Sequence, residues 1–327
     1  MVGFTGVGSL PGTDFPAALR LILHDVGAVE GWLPHLPELP ARGPWAGMIG
    51  RSLALLVDLP VSLDAGTWRL SDTPGMDARR ATRMLRDDLD MLQEEAHDWA
   101  GPFKVQVAGP WTLAAALLRP LGGRVLADRS ARRDLAQSLA DGTSDFLGQV
   151  RARMPDADVV LQVDEPGLPA VLSGAVPTEG GFFRHRSVDR PEAVEALEPL
   201  AALTPGAVFH CCAPGYQVDL AIQAGFGAIG LDSETVAGPD SVAEALDGGT
   251  GLHLGCLPTE VERGWTADDL AGRALTLLRP LELGDALIEA ITLTPACGLA
   301  GWSPRGASAA YRSLGRAAAQ VADQLAR

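Results

Sequence analysis

Strand-like and helix-like stretches alternate along this whole chain, and the strand-like ones are apolar on both faces. A strand buried on both faces belongs to a parallel sheet covered by helices, because each crossover lays a helix against the sheet. Strands are expected at 4–10, 103–110, 158–166, 206–214, 227–234, 250–258 and 288–299. Helices are expected at 14–27, 76–101, 111–118, 128–154, 190–203, 216–225, 240–249, 267–281 and 308–326. Seven strands leave one to be found, and the eighth is expected within the irregular stretch 43–72. The pattern fits an α/β fold, a single (β/α)8 TIM barrel, better than an open doubly wound sheet. No stretch has the composition of a linker, so residues 1–327 are expected to form one domain.

Composition narrows the function classes. The net charge of −15 makes nucleic acid a poor partner. No apolar run approaches the ~18 residues of a membrane helix, and "MVGFTGVGSLPGTD" has no basic region before an apolar one, so no membrane or signal segment is expected. Of the four cysteines, Cys211 and Cys212 are adjacent, while Cys256 and Cys297 stand alone. A disulfide framework does not follow, and a reducing, cytoplasmic location is expected. The chain has one lysine, Lys104, against many arginines, so single arginines are not over-read.

In such a barrel the chemistry sits just after the strands, at their C-terminal ends. The residues that fall there are Gly8–Ser9, Gly109–Pro110, Asp164–Glu165, His210 and Cys212, Asp232 and Glu234, Cys256 and Cys297. His210 and Cys212 are two apart on one strand and share a face, whereas Cys211 points away. With Cys297 from the last strand and either Asp232 or Glu234, they form a donor set for Zn2+. Two thiolates and a carboxylate leave such a centre electron-rich. A substrate thiol bound there stays a nucleophilic thiolate, which suits alkyl transfer to sulfur.

Asp164 and Glu165 suit a substrate ammonium, or alternatively a helix N-terminus. Gly8–Ser9 offers backbone N–H groups to a carboxylate, or forms an ordinary turn.

These pieces, "VGSLPG", "VAGPWTL", "LQVDEPGLP", "FHCC", "LDSE" and "PACGL", resemble the catalytic C-terminal barrel of cobalamin-independent methionine synthase, nearly end to end. The resemblance implies a (β/α)8 methyltransferase that uses zinc to activate homocysteine. It implies His210, Cys212 and Cys297 as zinc ligands, with Glu234 favoured over Asp232 for the carboxylate. It makes Asp164 the amino-group ligand, Gly8 and Ser9 the carboxylate contact, and Glu38 in "LPELPARGP" a further amino-group contact.

Two features depart from that family. A full-length synthase carries a second, N-terminal barrel, which this sequence does not contain. The family also places a histidine after the seventh strand as proton donor to the folate leaving group. Here "HLGCLPTE" puts Cys256 near that position as the candidate catalytic group, with His253 three residues earlier and facing elsewhere. Methyltetrahydrofolate needs a proton on its leaving nitrogen, and a methyl-corrinoid does not. The expected donor is therefore methylcobalamin or a corrinoid protein. Three rival readings are methylation of another small thiol such as a coenzyme thiol, a porphyrinogen decarboxylase using Arg42, Arg184 and Arg186 for propionates, and a non-catalytic zinc-binding homologue.

Overall fold

The computed structural model describes every residue except 28, 216, 237 and 327, and the side chain of residue 285 is not described. Ten strands are present among the described residues: β1 (Gly3–Thr5), β2 (Trp32–Leu33), β3 (Val61–Asp64), β4 (Thr67–Leu70), β5 (Gly101–Ala108), β6 (Ala157–Asp164), β7 (Val208–Cys211), β8 (Ala228–Asp232), β9 (Gly251–Leu257) and β10 (Ile291–Pro295). Eight form one parallel sheet in the order β2-β1-β10-β9-β8-β7-β6-β5. A parallel bridge between His35 and Lys104 joins its two ends. There Leu36 N–H donates to Lys104 O at 2.9 Å and Lys104 N–H to Pro34 O at 2.8 Å. The fold is a single (β/α)8 barrel.

The eighth strand is not within 43–72. It is β2, only two residues long. Pro34, Pro37 and Pro40 follow it, and proline has no N–H for a ladder, so the segment pairs briefly and carries a weak strand signal. The stretch 43–72 instead holds the helix Met48–Leu53 and the antiparallel hairpin β3–β4. The helix expected at 216–225 is observed at Val218–Gln223, and Tyr216 lies outside the described residues.

The long helices Met76–Ala96, Arg129–Arg153 and Pro304–Leu325 belong to the outer layer. Asp128 and Ser303 cap two of them by accepting from Ala131 and Gly306 N–H, each at 3.0 Å. Apolar strand residues, Phe103, Val105, Val107, Leu161, Val163, Phe209, Ile229, Leu252, Leu254 and Leu293, join the buried core with them. Among the described residues no helix is long and apolar enough to cross a membrane.

Candidate active site at the strand ends

The inner residues of the strands are polar. On β5, Lys104 and Gln106 alternate with the core residues Phe103, Val105 and Val107. On β6, Gln162 and Asp164 alternate with Leu161 and Val163. A barrel interior is more often filled by Val, Ile and Leu. Here it holds a hydrogen-bonded chain. Lys104 Nζ donates to Gly6 O at 2.6 Å and to Gln162 Oε1. Gln162 Nε2 donates to Val7 O and to Asp164 Oδ1, both at 2.8 Å. His210 Nδ1 lies 2.8 Å from the same Asp164 oxygen.

Parallel register sets these neighbours. Asp164 pairs with His210, and His210 pairs with Gly230. A Cβ at Gly230 would lie 3.1 Å from the His210 ring, so a glycine there leaves the imidazole its place. Against a carboxylate acceptor the Nδ1 of His210 is the donor, and in the neutral ring Nε2 then carries the lone pair.

Cys212 Sγ and Cys297 Sγ stand 3.6 Å apart. Cys212 is half-buried and Cys297 exposed. The S–H of Cys212 donates to Cys297, which holds the Cys297 thiol below its ordinary value and keeps the proton on Cys212. The nearby His210 ring also lowers Cys297. Two sulfurs on one tetrahedral zinc, each at ~2.3 Å, stand about 3.8 Å apart. The spacing of the thiol pair suits two ligands of one zinc ion, and His210 is near enough to act on Cys297 through its charge. The carboxylate arm is elsewhere: exposed Glu234 is ion-paired with Arg273. Asp232 Oδ1 accepts from Glu234 N–H at 2.9 Å, and burial raises its pKa. Nor is the His210 ring gathered with the two sulfurs: no three His, Cys, Asp or Glu side chains converge on one point among the described residues.

A second polar cluster lines the other side. Ser9 pairs with Glu38 in a parallel bridge, and Leu10 N–H donates to Glu38 O at 2.8 Å. Gln106 Nε2 donates to Leu36 O at 2.7 Å and to Glu38 Oε1 at 3.2 Å. Gln106 Oε1 is buried and has no hydrogen-bond partner among the described residues. Arg51 Nε lies 3.6 Å from Glu38 Oε1. Burial pushes the Glu38 carboxyl up to about 7, against the pull of Arg51. Leu299 N–H donates to Ser9 O at 2.8 Å, and a Cβ at Gly298 would come within 1.8 Å of Ser9 Oγ. A glycine is needed for that approach, which brings the Ser9 loop against the Cys297 loop.

Glu165 has a structural post. It accepts from Trp111 N–H at 2.8 Å, Thr112 N–H at 2.7 Å and Thr112 Oγ1 at 2.6 Å. It thus satisfies the N-terminus of the helix Pro110–Ala116 on the neighbouring strand. Cys256 is not brought to the cluster. It is fully enclosed in the apolar core, where β9 has one residue more than β10 between the pairs Gly255–Thr294 and Leu257–Pro295. Burial pushes its thiol up to about 12. His253 is buried near Lys104 and His210, with Nδ1 unpartnered, and burial holds its pKa down to about 3. Cys211 lies in the apolar core, away from the Cys212 sulfur's partner.

Lys104, Gln106, Gln162 and Arg51 were not singled out by sequence motifs. The signal that finds the first three is polar residues two apart within apolar strands, "FKVQVA" and "LQVD".

No protein-family model matches the chain, and no curated protein matches it. Among solved structures, a B12-independent methionine synthase from Shewanella sp. W3-18-1, in complex with selenomethionine, is 15% identical. The alignment covers 99% of both chains at a TM-score of 0.67. A protein described as a dihydrodipicolinate synthetase from Pseudomonas aeruginosa is 12% identical over 99% of this chain and 82% of that chain, at a TM-score of 0.39, too distant to argue from. Over its whole length, then, the chain shares the barrel fold of that synthase structure.

Proposed function

We propose that the protein is a zinc-dependent S-methyltransferase that makes methionine from homocysteine, with a methyl-corrinoid or corrinoid protein as donor. The observation that carries this reading is the meeting of Cys212 and Cys297 near a His210 whose Nε2 makes no hydrogen bond among the described residues. His210, Cys212 and Cys297 would hold the zinc, with Glu234 swinging from Arg273 as the fourth donor. Zinc there would keep a bound thiol deprotonated and nucleophilic at neutral pH.

The chain's own residues suit an α-amino acid. Three acceptors lie in this part of the barrel: the Glu38 carboxyl, which feels the Asp164 charge, and Gln106 Oε1 and Asp164 Oδ2, neither of which makes a hydrogen bond among the described residues. An ammonium satisfies all three. The half-buried Ser9 hydroxyl is likewise without a hydrogen bond among the described residues, and suits the carboxylate end. The similarly folded synthase is in complex with selenomethionine, the selenoether counterpart of methionine. A coenzyme thiol without an amine leaves those acceptors unpaired.

In the transfer, the substrate sulfur forms the new S–C bond while the methyl group's old bond breaks. A corrinoid leaves as cobalt(I) with the bonding pair and needs no proton. The enclosed Cys256 and the deep His253 support that donor, since neither is placed as an acid at the mouth. The decarboxylase reading loses support: Arg42 is ion-paired with buried Asp88 at 2.7 Å, and Arg184 donates to Ala175 O at 2.8 Å.

The test is methyl transfer by zinc-loaded protein to homocysteine, with methylcobalamin and methyltetrahydrofolate as parallel donors. Methionine from methylcobalamin, lost in Cys297→Ser, is the expected result. Turnover of methyltetrahydrofolate with methylcobalamin ignored would overturn the donor assignment. No methionine from either donor, with another thiol methylated, would overturn the acceptor.

A further inference from the structure

Lys104 is the chain's only lysine, and it is completely buried inside the barrel. A buried ammonium is costly unless it is paired. Yet no carboxylate stands within ion-pair distance of Nζ among the described residues; its partners are Gly6 O and Gln162 Oε1. Burial lowers its pKa to about 7, against the pull of Asp164 and Glu38 across the interior, and in the structure Nζ donates to both of its partners. A methionine or leucine would fill the space without that cost, so the ammonium has a task that an apolar side chain lacks.

The task follows from what each group can donate. An ammonium has three donors and no acceptor. It therefore admits only the oxygen end of the Gln162 amide. The NH2 end is forced toward two acceptors, Val7 O and Asp164 Oδ1. Asp164 Oδ1, so held, faces His210 Nδ1. A reversed amide would set its oxygen against the Asp164 carboxylate.

We propose that Lys104 is a positioning residue for the metal-ligand histidine: it fixes the Gln162 amide, and through Asp164 it holds His210 with the proton on Nδ1 and Nε2 left to bind. The proposal rests on the reading of His210 as a ligand for its purpose, but not for its test, which needs no metal. The same ammonium also pins Gly6 O, just before the Gly8–Ser9 loop, so one residue ties the two halves of the site together.

The experiment reads the His210 tautomer in metal-free protein, by long-range proton–nitrogen correlation of the imidazoles, with the signal assigned by its loss in His210→Asn. The wild type is expected to show the Nδ1–H tautomer alone. Lys104→Met and Gln162→Met are expected to show mixed tautomers. Both are expected to weaken zinc, measured by competition with a chelator, by about 10–100-fold, as removal of a ligand's outer partner does. Gln162→Met breaks the link while leaving Lys104 its bond to Gly6 O, so it decides the matter if Lys104→Met does not fold. An unchanged tautomer and a zinc affinity within twofold of wild type in the folded variants would overturn the proposal. Variants that shift the tautomer in a protein that binds no zinc would sustain it while overturning the metal reading.

Discussion

Cys212 Sγ lies 3.6 Å from Cys297 Sγ, although 85 positions separate them in the sequence. A disulfide needs about 2.0 Å between its sulfurs, whereas two thiolates on one zinc need about 3.8 Å. Cys212→Ser and Cys297→Ser are each expected to lower bound zinc from one equivalent to a small fraction, measured by elemental analysis after dialysis. Cys297 is exposed at a strand end, so its variant keeps the wild-type thermal transition within a few degrees.

Glu234 and Asp232 are separated by their present partners. Glu234→Gln is expected to weaken zinc at least tenfold, while Asp232→Asn, whose remaining oxygen still accepts from Glu234 N–H, changes it less than about threefold. Arg273→Ala frees Glu234 and is expected to strengthen zinc binding. The reverse order of the two carboxylate variants in a chelator competition would assign Asp232 instead.

Glu165 and Asp164 are adjacent in sequence and opposite in duty. Glu165→Gln turns an amide donor toward the N–H groups of Trp111 and Thr112. The expected loss is about 1–3 kcal/mol in urea unfolding, with zinc stoichiometry unchanged. Asp164→Asn is expected to leave stability closer to wild type and to raise the homocysteine KM tenfold or more.

Much of this was legible in the sequence, and the reasons for the exceptions are physical. The paired strands β5 to β10 announce themselves by the apolar residues that they contribute to the buried core. β2 does not, because three prolines let it pair for only two residues. The meeting of Cys212 and Cys297 was legible because cysteines are rare residue types and these two fall just after strands of one barrel. The chain Lys104–Gln162–Asp164 was not. A lysine and a glutamine inside apolar strands read as interruptions until the register shows that they meet in the interior.

Glu38 gives a pH signature. In the unfolded chain it titrates near 4.5, and in the folded one burial raises it to about 7. Between those values the folded state keeps a proton that the unfolded state has lost. Its contribution to stability is therefore present below pH 4.5 and is lost as pH rises through about 7. The stability of wild type relative to Glu38→Gln, from urea unfolding at a series of pH values, is expected to fall across that window and then level off.

The central claim is that the thiol pair and His210 hold zinc so that a substrate thiol joins them. Zinc-edge X-ray absorption of the zinc-loaded protein, with and without homocysteine, tests it most directly. The account predicts two sulfur neighbours at ~2.3 Å in the free protein and three once homocysteine is added. A sulfur count that stays at two, with homocysteine shown to be bound, would contradict it.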